Sequence, residues 1–302
     1  MLDILTRAGC FVAIILIGYT FRRIGIFGPE TFGVISKIVM KITLPAALIA
    51  SAAGKPIDAS MLTLALLGLG GGLIYIVAGW LVSLRKSRSE KAFYIQNIPG
   101  YNIGTFALPF TQSFLGPVGV LTTSIFDLGN AIVCFGASFS IARAVKEGGK
   151  AAFHRLLKSA VPSLPFLTHV FMVILNLNSL TLPGPVLTLA EILGGGNACL
   201  AMLMIGVGMN ISLEKSKLGT MVKVLTARFG IAAILALCYY HLLPFPLEIR
   251  QTLVILAFSP IGSTVPIFTA ELGEDVGLSS TINSIAIVIS IVIIVTLLTV
   301  ML

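Results

Sequence analysis

Long apolar stretches, separated by short turns or charged residues, follow one another along the whole chain. About 20 apolar residues are enough for a helix to cross the hydrocarbon core of a bilayer. Ten spans are predicted, at residues 4–21, 31–52, 60–84, 92–115, 117–142, 160–178, 184–211, 221–243, 247–271 and 278–302. Only 11% of the 302 residues are charged, against about 25% in soluble domains. The sequence therefore predicts an all-α membrane protein and excludes a soluble globular domain.

The basic residues are divided unevenly between the two sides of the predicted membrane. When loops are assigned alternately to two sides, fourteen lysines and arginines fall on one side and three on the other. Cytoplasmic loops are rich in Lys and Arg, so the first side is predicted to be cytoplasmic. Both termini are then expected outside the cell membrane. This topology explains the net charge of +8, so the expected partner is the lipid bilayer and no nucleic acid.

A basic loop cuts the chain into two halves of similar length. The predicted units are a first five-helix repeat at 1–143, a cytoplasmic basic loop at 144–159 and a second five-helix repeat at 160–302. Each half has an odd number of spans, so two homologous halves would insert with opposite orientations. This inverted-repeat plan is typical of many secondary transporters.

The fourth span of each half contains residues that interrupt a helix. The first run holds Pro99, Gly100, Asn102 and Gly104, and the second reads Ser-Pro-Ile-Gly-Ser-Thr-Val-Pro over 259–266. Proline removes a backbone donor and clashes with the preceding turn. Unpaired backbone groups inside a bilayer must be met by protein, water or a ligand.

Two interpretations of these interruptions are open. One interruption alone is most simply a proline kink without a function. Matching interruptions in corresponding spans are typical of a binding site at the middle of the membrane, where half-helix ends converge. Asn102 has the same two interpretations, because a turn asparagine often satisfies only local backbone, whereas its amide can also donate to a carboxylate.

The residues around both interruptions resemble a known family. The run Gly-Tyr-Asn-Ile-Gly-Thr-Phe-Ala-Leu-Pro-Phe at 100–110 and the run at 259–266, followed by Phe268 to Glu271, are similar to the crossover helices of the auxin efflux carrier family. Further similar segments are 127–131 and 203–209, so the resemblance covers nearly the whole chain. It implies ten helices in two inverted five-helix repeats with broken helices 4 and 9, as in the sodium/bile-acid symporter type, with a scaffold and a moving transport unit.

The resemblance also indicates what the protein transports. Plant PIN-formed members export auxin, and bacterial members are associated with malate, malonate and similar carboxylates. This chain lacks the long central cytoplasmic loop of many plant members and is therefore similar to the compact prokaryotic kind. The implied function is a secondary active permease or efflux carrier of small organic anions that works by alternating access. Direction, substrate and oligomeric state stay open, although spans two and seven are candidates for a homodimer contact.

The predicted substrate site follows from matching positions. Asn102 and Pro109 match the asparagine and proline of the family's fourth helix, and Pro260 and Pro266 match the prolines of its ninth. Asn197 is added because it follows three glycines that are expected to unwind span seven. The full predicted set is Asn102, Ile103, Gly104, Pro109, Pro260, Ser263, Thr264, Pro266 and Asn197. The family's usual glycine near position 107 is an alanine in this chain, and we expect a narrower or shifted pocket.

Placing an ionisable residue inside the membrane costs free energy, so such a residue needs either a partner that compensates its charge or a function. Asp127 with Asn130 one turn later, and Glu191 in span seven, are the candidates for coupling transport to Na⁺ or H⁺. Asp127 can equally be structural, and Glu191 can lie near the outer interface. Arg228 in span eight is close enough to the cytoplasmic end of its helix that it can snorkel as well.

Two other function classes are weighed against transport. An intramembrane enzyme needs clustered catalytic residues, and the sequence has neither a zinc-protease motif nor paired aspartates in one span. No catalytic residue, no bound metal and no cofactor are therefore predicted. A channel or receptor built on a carrier fold is the other alternative, and it would bind its ligand without counterflow or conduct far faster than a carrier.

Overall fold

The computed structural model describes residues 2–54, 59–148, 164–212 and 214–301. Their regular structure is helical, and no strand occurs within these ranges. The helices are α1 Leu2–Arg23, α2 Thr31–Ala52, α3 Thr63–Val82, α4 Arg88–Asn97, α5 Leu108–Phe114, α6 Gly116–Glu147, α7 Leu164–Leu177, α8 Gly184–Gly208, α9 Leu218–His241, α10 Leu247–Ala257, α11 Val265–Glu271 and α12 Val276–Met301. The prediction of an all-α chain is confirmed for the described residues, whereas most of the predicted basic loop at 144–159 lies outside them.

Seven of the described helices are long and apolar enough to cross a membrane, namely α1, α2, α3, α6, α8, α9 and α12. Their outward faces carry large apolar side chains, for example Leu66, Ile192, Ile234 and Val292, which are 62–71% exposed. Soluble monomers rarely expose large contiguous apolar patches. These helices are therefore multi-pass membrane elements, as the composition predicts.

The helices pack in two groups. The first, which we call the outer group, consists of α1, α2, α7 and α8, with α1 lying along the second part of α8 and α2 along its first part. A Cβ on Gly206 would overlap the carbonyl oxygen of Ile15, and a Cβ on Gly18 would overlap that of Leu203. These glycines permit the close backbone approach that is common between membrane helices.

The second group, which we call the inner group, consists of α3 to α6 and α9 to α12. Its tightest contact is again made by glycines, because a Cβ on Gly68 or Gly129 would overlap a backbone carbonyl of the facing helix. Its core contains Tyr75 of α3, Phe126 of α6 and Tyr239 of α9. This group holds both interrupted helices.

Candidate functional site

Both interruptions predicted from the sequence are present. Helix α4 ends at Asn97, and regular backbone returns only as a π-turn at Ile103–Ala107 that leads into α5. Helix α10 ends at Ala257, and α11 begins at Val265. Prolines without an N–H, at the start of each gap, prevent the helical hydrogen bonds from continuing.

The two interrupted segments meet. The backbone N–H of Asn102 donates to the carbonyl oxygen of Pro260 at 2.9 Å. We call segments 98–102 and 258–264 together the crossover. Residues that are about 160 positions apart in the sequence are thus joined by a main-chain hydrogen bond inside the inner group.

The first crossover segment is fixed by Asn130 of α6. The Asn130 amide donates to the carbonyl oxygen of Tyr101 at 2.9 Å, and its side-chain oxygen accepts from the Tyr101 N–H at 3.0 Å. Gly100 has φ +82°, and a Cβ there would lie 2.7 Å from the Cys134 sulfur. The turn therefore requires glycine, because other residues rarely adopt this conformation.

Asn102 itself is only 5% exposed. Its side-chain oxygen accepts a hydrogen bond from the Thr105 hydroxyl, while its Nδ2 has no hydrogen-bond partner among the described residues. Most buried polar atoms in proteins are hydrogen-bonded. A buried amide donor without a protein partner is a group that a ligand oxygen can satisfy.

The second crossover segment is contacted by an asparagine of α12. The Asn283 amide of α12 donates to the carbonyl oxygen of Gly262 at 3.3 Å, and the Asn283 side-chain oxygen has no partner in the described part of the chain. Ser263 and Thr264 follow and bring two hydroxyl groups to this segment.

Arg228 of α9 contacts both crossover segments and is fully buried. It donates to the carbonyl oxygens of Ile98 at 3.2 Å and Ser259 at 2.7 Å. This arginine therefore does not snorkel. Two guanidinium nitrogens donate to the backbone carbonyls that precede Pro99 and Pro260, while Nε has no hydrogen-bond partner among the described residues.

Two cavities adjoin the crossover and share Asn102 and Ser263 in their linings. The small one, of about 50 Å³, is bounded by Met40, Leu44, Pro165 and Phe166 of the outer group and by Asp127, Asn130 and the crossover of the inner group. The large one, of about 600 Å³, is bounded by the ends of α1 and α8 and by α11 and α12. Both cavities thus lie between the two helix groups.

The structure brings most of the predicted substrate residues together. Ile103, Gly104 and Thr264 line the small cavity, and Pro266 lines the large one. Pro260 accepts the hydrogen bond from Asn102. Pro109 is buried in the first turn of α5 and is not among the residues that line either cavity.

Asn197 lies apart from this cluster. Helix α8 turns only at Gly196, and the Asn197 side-chain oxygen accepts a hydrogen bond from the Thr43 hydroxyl of α2 at 3.1 Å. The expected unwinding of residues 194–196 is wrong, because Gly184–Gly195 is regular helix and only one residue is a turn. A glycine run tolerates helix where neighbouring helices pack against it, and a Cβ on Gly194 would lie 2.7 Å from the Ala47 Cα.

The three coupling candidates occupy different environments. Asp127 lines the small cavity and accepts a hydrogen bond from the Asn130 amide at 2.8 Å. Glu191 lies on an exposed face of α8 and lines neither cavity. Among the residues that the structure describes, no group of three His, Cys, Asp or Glu side chains is arranged to hold a metal ion.

The turn after α11 is held by two ion pairs. Lys146 of α6 lies 2.6 Å from Glu274, and Lys217 lies 2.8 Å from Asp275. Hydrogen bonds to Asp275 and Glu214 raise the pKa of the Lys217 ammonium group. The far end of the second interrupted helix is thereby attached to α6 and to the start of α9.

Sequence reasoning missed the roles of Arg228, Asn283 and Cys134, which surround the crossover. A signal for Arg228 is its position near the middle of the 24-residue helix α9, where a charge is too deep to reach water. Asn283 and Cys134 give no such signal, because single polar residues and thiols are common within membrane helices.

The family comparison agrees with this geometry. A model of the family described as "Membrane transport protein" matches residues 10–300, which include both crossover segments. The chain belongs to this family, the auxin efflux carrier family. A search of curated proteins finds no match. The protein is therefore a multi-pass membrane transport protein, and the resemblance of its two proline-containing runs to this family is confirmed.

Proposed function

We propose that this protein is a secondary active transporter that carries small organic anions across the cell membrane by alternating access. The observation that supports it best is the crossover, where two interrupted helices meet beside cavities that lie between two helix groups. In secondary transporters, discontinuous helices of this kind form the substrate site near the middle of the membrane.

The proposed topology has ten crossings. Each interrupted pair, α4 with α5 and α10 with α11, counts as one crossing, so each half of the chain has five and its fourth is broken. This order fits two inverted repeats at 1–143 and 160–302. The excess of basic residues in alternate loops supports a cytoplasmic side at Arg22 and Arg23 and termini outside.

The lining of the large cavity suits an anion. Its charged residues are Arg22 and Arg23, and no Asp or Glu belongs to it. The unpaired amide donor of Asn102 lies where this cavity meets the crossover. A carboxylate accepts hydrogen bonds only, so it complements this donor. Malonate and malate are the class of substrate we propose, with auxin as a less favoured member.

Alternating access would arise from movement of the inner group against the outer group. The large cavity extends from the crossover to the basic end of α1, so under the proposed topology it opens to the cytoplasm. We interpret the structure as an inward-facing state. The small cavity, closed by Pro165 and Phe166 of α7, would enlarge or vanish as the two groups move.

We assign ion coupling to Asp127 of α6. Asp127 is the acidic residue in the lining of the small cavity and is close to the crossover through Asn130. It suits proton or Na⁺ coupling better than Glu191, whose side chain faces outward. Without coupling, the membrane potential alone would supply about 2.3 kcal/mol per charge per 100 mV for export of an anion.

A thermal-shift screen tests the substrate class. Purified protein is heated with malonate, malate, succinate or indole-3-acetate, with and without Na⁺, at two pH values. A ligand that binds only the folded state raises the melting temperature by mass action. Stabilisation by a small carboxylate supports the proposal, and dependence on Na⁺ or pH identifies the coupling ion. Stabilisation by none of them contradicts the organic-anion proposal and favours a channel or a receptor for another ligand.

A further inference from the structure

Arg228 is a buried cation without an acidic partner among the described residues. It lies in α9 with no exposed surface, and none of the ion pairs formed by the described residues includes it. An unpaired charge in a bilayer is costly. Such a residue persists only where the surrounding groups compensate its charge or where the charge has a task.

Two backbone carbonyl groups compensate the charge of Arg228, and each belongs to a residue that directly precedes a proline. The Ile98 oxygen is that of the residue that directly follows α4, and the Ser259 oxygen lies two residues past the last residue of α10. The last carbonyls of a helix have no intrahelical partner and carry the negative end of the helix dipole. Pro99 and Pro260, which follow directly, offer no N–H that continues either helix.

Aromatic rings hold the guanidinium in this position. Its central carbon lies 4.2 Å from the centre of the Tyr75 ring and 4.8 Å from that of Tyr101. Arginine stacks on aromatic rings and offers donors in a fixed planar fork. One side chain can therefore reach two acceptors on two separate elements, which the single point charge of lysine does less well.

We propose that Arg228 is the positioning residue of the crossover and also determines its charge preference. It ties the end of α4 to the end of α10, and it compensates the negative ends of both helices with one fixed positive charge. The crossover then retains no uncompensated negative helix end that would repel an anionic ligand. The positioning part stands on the contacts alone, whereas the charge-preference part rests on the proposed transport of organic anions.

Hydrogen–deuterium exchange tests the positioning part without any ligand. Peptides that cover 98–107 and 259–265 are compared in the wild type, Arg228→Gln and Arg250→Gln. Arg250 is a matched control, because it also donates to a backbone carbonyl, that of Tyr240 at 2.8 Å, and lies 5.6 Å from its ring centre, but it is in the first turn of α10 and bonds to neither crossover segment.

We expect Arg228→Gln to raise exchange about tenfold in both crossover peptides together, since each loses a hydrogen bond to a charged donor. Arg250→Gln should leave both peptides at the wild-type rate. Unchanged exchange in Arg228→Gln, or a rise in only one of the two peptides, would overturn the positioning role. A uniform rise across all peptides would also overturn it, because it would indicate general destabilisation.

Malonate-induced thermal stabilisation tests the charge preference, with Arg228→Lys as the variant that keeps the charge. We expect Arg228→Gln to weaken malonate binding about tenfold or more, and Arg228→Lys to stay within about threefold of the wild type while its crossover peptides still exchange faster. If Arg228→Gln is not recovered folded, the comparison of Arg228→Lys with the wild type decides both parts. Equal malonate affinity in the wild type and Arg228→Gln, or equal loss in both variants, would overturn the charge role. Failure of malonate to stabilise the wild type would contradict the proposed function instead, and the exchange result would still decide the positioning role.

Discussion

The two crossover segments are built on the same plan but differ in how they are held and in what they offer. In each segment, the carbonyl oxygen of the residue before the proline accepts a hydrogen bond from Arg228. The first is fixed by two hydrogen bonds between Tyr101 and the Asn130 side chain, one in each direction, and it carries an amide donor, Nδ2 of Asn102, without a partner among the described residues. Beyond Pro260, the second receives one longer side-chain bond, from the Asn283 amide to the Gly262 carbonyl, and it offers hydroxyl groups.

This difference indicates that the first segment recognises the substrate and that the second segment moves more easily. A segment that is fixed at both its N–H and its C=O keeps its amide in a defined position, which favours binding of a carboxylate. The start of the second segment is fixed by Arg228 and by the Asn102 N–H, but the part around Gly262 has only the longer side-chain bond from Asn283 and can change position at lower cost. We therefore expect the first segment to dominate substrate affinity and the second to contribute less.

The largest expected effect is on stability, from Asn130→Ala. This change leaves the buried N–H of Tyr101 without its partner, at a cost of about 1–3 kcal/mol. It also removes the hydrogen bonds from the Asn130 amide to the Tyr101 carbonyl, which keeps its bond from the Ile103 N–H, and to Asp127. We predict that the free energy of unfolding falls by about 2–4 kcal/mol, measured by denaturant titration in mixed micelles. Asn178→Ala is the matched control, because the exposed Asn178 amide also donates to a backbone carbonyl and its loss should change stability little. Equal effects of the two changes would show that the first segment is not specially fixed.

Asn102→Ala should reduce malonate binding by about 2 kcal/mol, or about thirtyfold, since one hydrogen bond to a charged ligand is worth about 1.5–3 kcal/mol. The protein should remain folded and monodisperse, because the change removes only the hydrogen bond from the Thr105 hydroxyl to the Asn102 side-chain oxygen, and Nδ2 has no partner in the described residues to lose. Thermal shift against malonate and size-exclusion chromatography measure the two properties. An unchanged affinity would remove Asn102 from the site.

Much of this arrangement can be predicted from the sequence, because it depends on local residue patterns. The length of the apolar stretches predicts the membrane helices, and the prolines and glycines within them predict the two interruptions. The contacts that join the segments cannot be predicted in the same way. Arg228 reaches Ile98 across 130 positions, and no periodicity links an arginine in one helix to a carbonyl freed by a proline in another.

At Asn197, by contrast, the local sequence pattern predicts the wrong structure. Its neighbouring glycines favour an unwound segment by local propensity, yet the packing of Gly194 against Ala47 keeps that part of α8 helical. Tertiary contact overrides propensity where close helix packing requires a residue without a side chain. Asn197 therefore bonds to Thr43 and not to the crossover.

Ser263→Ala tests the second segment directly. We predict a loss of malonate affinity of about 1 kcal/mol, or about fivefold, as is typical of one neutral hydrogen bond. The measurement is the same malonate titration used for Asn102→Ala, so the ratio of the two losses compares the segments. A loss equal to or larger than that of Asn102→Ala would reverse the assignment of recognition to the first segment.

The smallest expected effect on affinity comes from Asp127→Asn. The amide keeps an acceptor for Asn130 but removes the charge, so malonate affinity at a fixed pH should change by no more than about threefold, or about 0.6 kcal/mol. If Asp127 couples transport, the dependence of uptake on pH or on Na⁺ should disappear. Parallel loss of expression and activity would instead mark Asp127 as structural.

Counterflow in proteoliposomes tests the central claim most directly. Vesicles that contain the purified protein are loaded with unlabelled malonate and diluted into a trace of labelled malonate. The account predicts transient, saturable accumulation of label that is strongly reduced in Asn102→Ala, because exchange requires one site that is alternately exposed to the two sides. Equilibration of label without overshoot, or overshoot that is equal in both proteins, would contradict an alternating-access anion site at the crossover.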